Sequence, residues 1–251
     1  MIDLNGQAAL VTGGSRGIGR ACCLLLARAG ARVGINYRVE SPSASLLAEE
    51  IEAAGGEAFA LAADVSRPAD AEMLVDECVS RFGGIDILVN NAGISRESPI
   101  EEISDGEWSE MIATNLTGTF LVTRAAVPAM KEARSGRIIN ISSTAGQRGE
   151  ALHSHYAATK GALISLTKSL ATELAPFGIL VNCVAPGWTA TDMTREDLLG
   201  PRREEILRAI PLGRVATAEE IAGAVLFLCS HLATFVTGEV VNVNGGAVLI
   251  G

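Results

Sequence analysis

Tyrosine and lysine are scarce in this sequence. Its 251 residues include two tyrosines, Tyr37 and Tyr156, and three lysines, Lys131, Lys160 and Lys168, against 17 arginines. Twenty basic residues face 29 acidic ones, a formal charge of −9. That deficit of positive charge argues against a nucleic-acid partner, whose phosphate backbone calls for a basic footprint. No apolar run is long enough to cross a bilayer, so no membrane association is expected. The opening residues, MIDLNGQAALVTGG, lack the basic-then-apolar order of a secretory signal. The three histidines have no H-E-x-x-H spacing, and the five cysteines (Cys22, Cys23, Cys78, Cys183 and Cys229) contain no C-x-x-C. A zinc site or disulfide framework is therefore not expected. Cysteines in apolar surroundings read as small hydrophobes of a reduced, cytoplasmic chain.

What the sequence does have is alternation. Apolar, β-rich runs at 8–12, 32–36, 57–63, 85–90, 136–142, 179–185 and 239–244 are separated by helical patterns. With 48% hydrophobic residues, the chain can bury a substantial core. Near-continuous apolar strands spaced by helices predict one α/β domain over residues 1–251. The expected fold is a Rossmann-type doubly wound parallel sheet of about seven strands flanked by helices. Thr12, Asn36, Asp64, Asn90, Ser143 and Pro186–Gly187 fall at strand carboxyl ends, the edge where such sheets bind ligands.

The first strand runs into LVTGGSRGIGRA, with glycines at 13, 14, 17 and 19. Glycines in a strand–turn–helix setting let a pyrophosphate approach backbone N–H groups at a helix N-terminus. The same residues read as G-x-S-x-G around Ser15, the form of a hydrolase nucleophile elbow. That alternative needs an acid and a histidine, for which Asp192 and His231 are candidates. About 20 residues beyond such a turn, an acidic side chain normally marks a cofactor with a free ribose 2′-hydroxyl. Here the position holds Tyr37, followed by Arg38, with Arg16 inside the turn and Glu40 close by. Two arginines suit a 2′-phosphate, so NADP(H) is expected over NAD(H).

HSHYAATKGAL places Tyr156 and Lys160 four residues apart at the start of a helical pattern over 155–175. Ser154 is a candidate N-cap, and Pro176–Phe177–Gly178 closes the pattern. A phenol titrates near 10, and bringing it to neutrality requires about 4 kcal/mol in favour of the phenolate. A nearby ammonium and a helix N-terminus both act in that direction. Ser143, thirteen positions before Tyr156, is placed to bring a hydroxyl beside it. In WSEMIATNLTGTFL, Trp108, Met111, Ile112 and Phe120 read as apolar anchors of a helix. Asn115 falls on their face and, if buried, must be hydrogen-bonded, by a kinked helix or a held water.

These residues together resemble the classical short-chain dehydrogenases/reductases over essentially the whole chain. The T-G-x-x-x-G-I-G turn matches Thr12–Gly19, N-N-A-G matches Asn90–Gly93, and P-G-x-x-x-T matches Pro186, Gly187 and Thr191. The tetrad matches Asn115, Ser143, Tyr156 and Lys160. The resemblance implies hydride transfer between nicotinamide and a carbonyl or secondary alcohol. It makes Tyr156 the proton donor and Ser143 the group that positions the carbonyl oxygen. Lys160 lowers the Tyr156 pKa and holds the ribose, and Asn115 retains a relay water. The implied cofactor-binding residues are Gly13, Ser15, Arg16, Gly17, Ile18, Gly19, Tyr37, Arg38, Asp64, Val65, Asn91, Ala92, Gly93, Tyr156, Lys160, Pro186, Gly187, Thr189 and Thr191.

Within the family the sequence is most similar to the 3-oxoacyl-[acyl-carrier-protein] reductases. Arg134 matches a residue of their basic docking surface beside the active-site entrance, and Phe177 replaces another. An acyl thioester on acyl carrier protein is thus one implied substrate, and a sugar, diketone or other small carbonyl is the alternative. A non-catalytic dinucleotide-binding module stays open beside both. Ser95, Gln147, Arg148, His153 and Trp188 are expected to line the substrate pocket. The irregular stretch from Thr189 to Leu212 is expected to form a lid. The apolar end Ala247, Val248, Leu249 and Ile250 is expected to be covered by another subunit of a homotetramer, the assembly common in the family.

Overall fold

The computed structural model describes residues 2–39 and 42–249; Glu40 and Ile250 lie outside them. Seven strands form one sheet: β1 (Ala8–Val11), β2 (Arg32–Tyr37), β3 (Ala58–Ala62), β4 (Ile87–Asn90), β5 (Gly136–Ile141), β6 (Ile179–Pro186) and β7 (Val240–Val243). Their order is β3-β2-β1-β4-β5-β6-β7, and every pairing is parallel. Parallel neighbours need crossovers, and the helices supply them. They are α1 (Gly17–Arg28), α2 (Pro42–Ala53), α3 (Pro68–Phe82), α4 (Asp105–Ile112), α5 (Gly118–Ala133), α6 (Ala145–Arg148), α7 (Ser154–Leu174), α8 (Arg195–Leu199), α9 (Arg203–Arg208) and α10 (Ala218–Cys229). No helix among the described residues is long and apolar enough to cross a membrane.

Both faces of the sheet are dry, which is why the strands read as continuous apolar runs. One face packs Leu26, Leu47, Ile51, Val225 and Leu228 from α1, α2 and α10. The other packs Leu74, Val75, Val122, Met130 and Leu174 from α3, α5 and α7. Polar groups cross this core as a ladder that leaves only the Asn90 Oδ1 end without a partner among its side-chain amides. The Asn90 amide donates to Asn140 Oδ1 at 2.9 Å and Thr123 Oγ1 at 3.0 Å, and Asn140 donates to Thr167 Oγ1 at 2.9 Å. A buried amide is tolerated only when so paired, and this chain fixes the ends of β4 and β5 against α7.

The strand order reverses between β1 and β4. That switch point opens a crevice outside the carboxyl ends of the strands, the binding edge of such sheets.

Two local expectations are corrected. The helix around Asn115 is interrupted by a single π turn, Ala113–Thr117, between α4 and α5. Met111 is fully buried, whereas Trp108 and Phe120 are 43% and 46% exposed and do not anchor the helix to the core. Ser154 is the first residue of α7 rather than its cap: the His153 carbonyl accepts from Ala157 N at 2.8 Å, so His153 stands at the N-cap. The C-terminal end is as expected, with Gly178 at φ 74 closing a short 3₁₀ turn.

Candidate active site

The glycine turn is held by two asparagines. Asn36, inside β2 near its end, accepts from Gly13 N at 3.2 Å through Oδ1 and from Gly14 N at 2.7 Å through its backbone carbonyl. Asn91 donates from Nδ2 to the carbonyls of Thr12 and Gly13, both at 3.0 Å. Thr12 Oγ1 accepts from the backbone N–H of Asn91 and Ala92, at 3.0 and 3.1 Å. Gly13 and Gly17 sit at φ 62 and 53, in the region that favours glycine. A Cβ on Gly19 would lie 2.2 Å from Gly13 O. The twelve-residue α1 starts after Arg16, which makes no side-chain cap, so its first N–H groups are free for an anion. A Cβ on Gly93 would come 3.3 Å from Asn115 Oδ1 and 3.5 Å from Lys160 Nζ, so glycine keeps that approach open. The chain therefore presents the bare cradle that a dinucleotide requires.

A cavity of about 810 Å³ continues from the turn across the strand ends. Ile18, Asn91 and Gly93 line it on the side of the glycine turn. Ser143, Tyr156 and Lys160 line its floor, with Pro186, Gly187, Thr189 and Thr191 beside them. Ser95, His153 and Trp188 also face it. Tyr37, Arg38, Asp64 and Val65 lie beyond the cavity along the same strand edge. Asp64 Oδ1 accepts from Ser66 N at 3.0 Å and Ser66 Oγ at 2.7 Å, and Val65 packs where a Cβ on Gly118 would fall. Arg16 stays exposed and faces Asp192 at 3.8 Å.

Ser143 follows β5, and its Oγ accepts from Ala145 N at 3.1 Å. Lys160 is 4% exposed and donates from Nζ to Ile141 O at 2.7 Å. Its backbone carbonyl accepts from Ser142 Oγ at 2.7 Å, so α7 is tied to the end of β5 at both ends of one residue. Burial pushes the Lys160 ammonium down from 10.5 to about 8. Its Nζ stands 5.7 Å from the centre of the Tyr156 ring.

Burial pushes the Tyr156 phenol above 10, and interaction with the Ser143 hydroxyl only partly opposes this. Desolvation of the phenolate thus dominates, and it is the Ser143 hydroxyl rather than Lys160 that acts against it.

Asn115 is fully buried, and its amide is hydrogen-bonded as burial demands. Its Oδ1 accepts from Ile94 N at 2.8 Å, and its Nδ2 donates to Ile94 O at 2.9 Å and Thr159 Oγ1 at 3.2 Å. From the π turn this side chain clamps the loop after β4 to α7.

Three sequence expectations fall outside the cavity. Gln147 turns to β7 and donates to Asn242 Oδ1 at 2.6 Å. Arg148 pairs with Glu150 at 2.8 Å, and of the two only Glu150 faces the cavity. Arg134 and Phe177 sit just before β5 and β6, at the opposite edge of the sheet. There the Arg134 guanidinium donates to Pro176 O at 2.9 Å, and Lys131 lies 4.4 Å from the Phe177 ring centre. Within one subunit they are not beside the entrance. The Ser15 elbow has no triad either, since the exposed His231 follows α10 on the stretch entering the amino end of β7.

Conversely, sequence reading missed a charged rim: Arg96, Glu97, Glu107, Glu150, Glu196, Asp197 and Arg202 all face the cavity. The stretch expected to form a lid supplies one wall of the cavity and is more regular than its composition suggests. It holds α8 and α9, buries Ile206 and Ile210, and meets the far wall through Arg202, 3.2 Å from Glu97. Charge spacing across two distant segments gives no signal of such a pair.

His155 is 0% exposed and neither ring nitrogen has a partner. Burial, with His153 and Arg96 acting alongside and Glu107 against, holds its pKa below 6.5. A buried histidine that resists protonation contributes stability fully above the unfolded value of 6.5. That contribution is lost as pH falls from there toward the folded value. Urea unfolding should therefore show lower stability at pH 5.5 than at pH 7.5, with a smaller difference in His155→Leu. An equal difference in both proteins would show that His155 is not the source.

Residues 13–248 match the family model described as Enoyl-(Acyl carrier protein) reductase. The chain belongs to the short-chain dehydrogenase/reductase family. It is 45% identical over 240 residues to the 3-oxoacyl-[acyl-carrier-protein] reductase FabG of Staphylococcus aureus, covering 96% of this chain and 97% of that one. To the FabG of Escherichia coli it is 43% identical over 249 residues, covering 99% and 100%. The crystal structure of gox2181 superposes with a TM-score of 0.94 at 34% identity, covering 98% of this chain and 96% of that one. The protein is accordingly an oxidoreductase acting between C=O and CH–OH groups with a nicotinamide cofactor.

Proposed function

We propose that this short-chain dehydrogenase/reductase reduces a 3-oxoacyl thioester with NADPH. The observation that carries the reading is the convergence of Ser143, Tyr156 and Lys160 on one cavity, beside the bare glycine turn. The bound nicotinamide supplies the hydride. Tyr156, kept protonated by burial, gives its proton to the carbonyl oxygen, and Ser143 donates to the same oxygen and positions it. Lys160 is close enough to neutrality to pass on a proton and to hold a ribose hydroxyl. Asn115 acts by fixing the Gly93–Ile94 segment through Ile94 N and O, beside the route by which a relay water would reach Lys160. NADP(H) over NAD(H) is supported by Arg38 just past β2 and Arg16 inside the glycine turn; Glu40, two residues beyond Arg38, lies outside the described residues.

The names of the relatives favour a carrier-protein thioester. A second reading, a small sugar or diketone, is favoured by the acidic rim and by the position of Arg134 away from the cavity. Reduced-cofactor oxidation should be followed with acetoacetyl thioesters, a sugar panel and a diketone panel, each with NADPH and NADH. The thioester with NADPH is expected to give the highest kcat/KM by about tenfold or more, about 1.4 kcal/mol of transition-state preference. A sugar or diketone in that place moves the substrate to the second reading. The exposed Trp108, Phe120 and Leu249 fit burial in a homotetramer, which a monomeric mass by light scattering would contradict.

A further inference from the structure

One carboxylate stands between the nucleotide edge and the substrate cavity. Glu110, on α4, faces Arg38 Nη1 at 3.9 Å through Oε1 and Arg96 Nη2 at 2.8 Å through Oε2. Arg38 lies just past β2, where the adenosine end of a dinucleotide sits on such sheets. Arg96 lines the cavity that holds Tyr156. The three side chains are half-exposed, so the contacts exchange readily with solvent and with any better anion.

We propose that Glu110 sets the strength of nucleotide choice by competing with a cofactor 2′-phosphate for Arg38, and that Arg96 limits this competition by holding the same carboxylate. This deepens the NADP(H) reading and rests on it. A 2′-phosphate carries more charge than a carboxylate and binds an arginine more strongly. On binding, it displaces the longer Arg38–Glu110 contact, while the shorter Arg96–Glu110 contact persists. Loss of Arg96 releases Glu110 toward Arg38 and raises the competition. NADH presents no phosphate there and is indifferent to both changes. The consequence is that a residue on the wall of the substrate cavity acts on the far end of the cofactor through one shared counterion.

The test is fluorescence titration of NADPH and NADH into wild type, Glu110→Gln, Arg96→Ala and the double variant. Exposed pairs of this kind correspond to changes of about two- to fivefold. Glu110→Gln is expected to tighten NADPH by that factor and leave NADH unchanged. Arg96→Ala is expected to weaken NADPH, and the double variant to behave like Glu110→Gln. A weakening by Arg96→Ala that persists without Glu110 overturns the shared-counterion proposal, as does an equal effect of Glu110→Gln on both nucleotides. Wild type binding NADPH no tighter than NADH overturns the underlying nucleotide choice as well, and is recognisable before any variant is made.

Discussion

Tyr156→Phe is expected to lower turnover by about 10²- to 10⁴-fold, the usual contribution of a positioned general acid. The ring stays in place, so the half-buried packing is kept, and loss of the interaction with Ser143 costs stability by about 1 kcal/mol at most. NADPH affinity should be nearly unchanged, because the cradle is built from Asn36, Asn91 and the glycine turn rather than from the phenol. The informative comparison is kcat against NADPH affinity in one preparation. A variant that binds NADPH normally and turns over within a few-fold of wild type would remove Tyr156 from the proton-transfer step.

Gly19→Ala should be nearly as damaging for a different reason. The added Cβ would sit 2.2 Å from Gly13 O and 2.6 Å from Asn91 Nδ2. Neither atom can withdraw: Gly13 O already accepts from that same amide at 3.0 Å, and Gly13 N is held by Asn36 at 3.2 Å. Relief requires moving the turn itself, a cost of about 1–3 kcal/mol to folding. It also displaces N–H donors at the start of α1. Hydrogen bonds to a charged group are worth about 1.5–3 kcal/mol each, so cofactor affinity should fall tenfold or more. Gly223→Ala, in α10 with nothing within 4 Å of its added carbon, is the control and should be neutral or stabilising by about 0.5–1 kcal/mol. Unimpaired NADPH binding by Gly19→Ala would show that the turn does not hold the cofactor.

Strands and their parallel order were legible because both faces of the sheet are buried, leaving apolar runs that helices must separate. The cradle and the Ser143–Tyr156–Lys160 group were legible because they follow strand ends or share one helix face, where spacing translates into proximity. The need to pair a buried Asn115 was legible and a kinked helix was one of the two answers, but the π form of that kink has no spacing signature, and the exposure of Trp108 and Phe120 was not legible. Gln147 was expected to line the cavity. Its amide instead reaches Asn242, 95 residues away, and no local pattern encodes that pairing. The acidic rim and the Arg38–Glu110–Arg96 bridge escaped for the same reason: they are assembled by topology from β2, α4 and the loop after β4. For Tyr156, the balance between a nearby cation and desolvation of the phenolate itself is set by the packing, which spacing does not encode.

Hydride transfer to a carbonyl carbon can be observed directly. The protein, incubated with NADPH dideuterated at nicotinamide C4 and acetoacetyl thioester, is predicted to yield the 3-hydroxy thioester with one deuterium on the carbinol carbon. Deuterium remaining entirely on the cofactor, with the thioester unchanged or merely hydrolysed, would contradict the account.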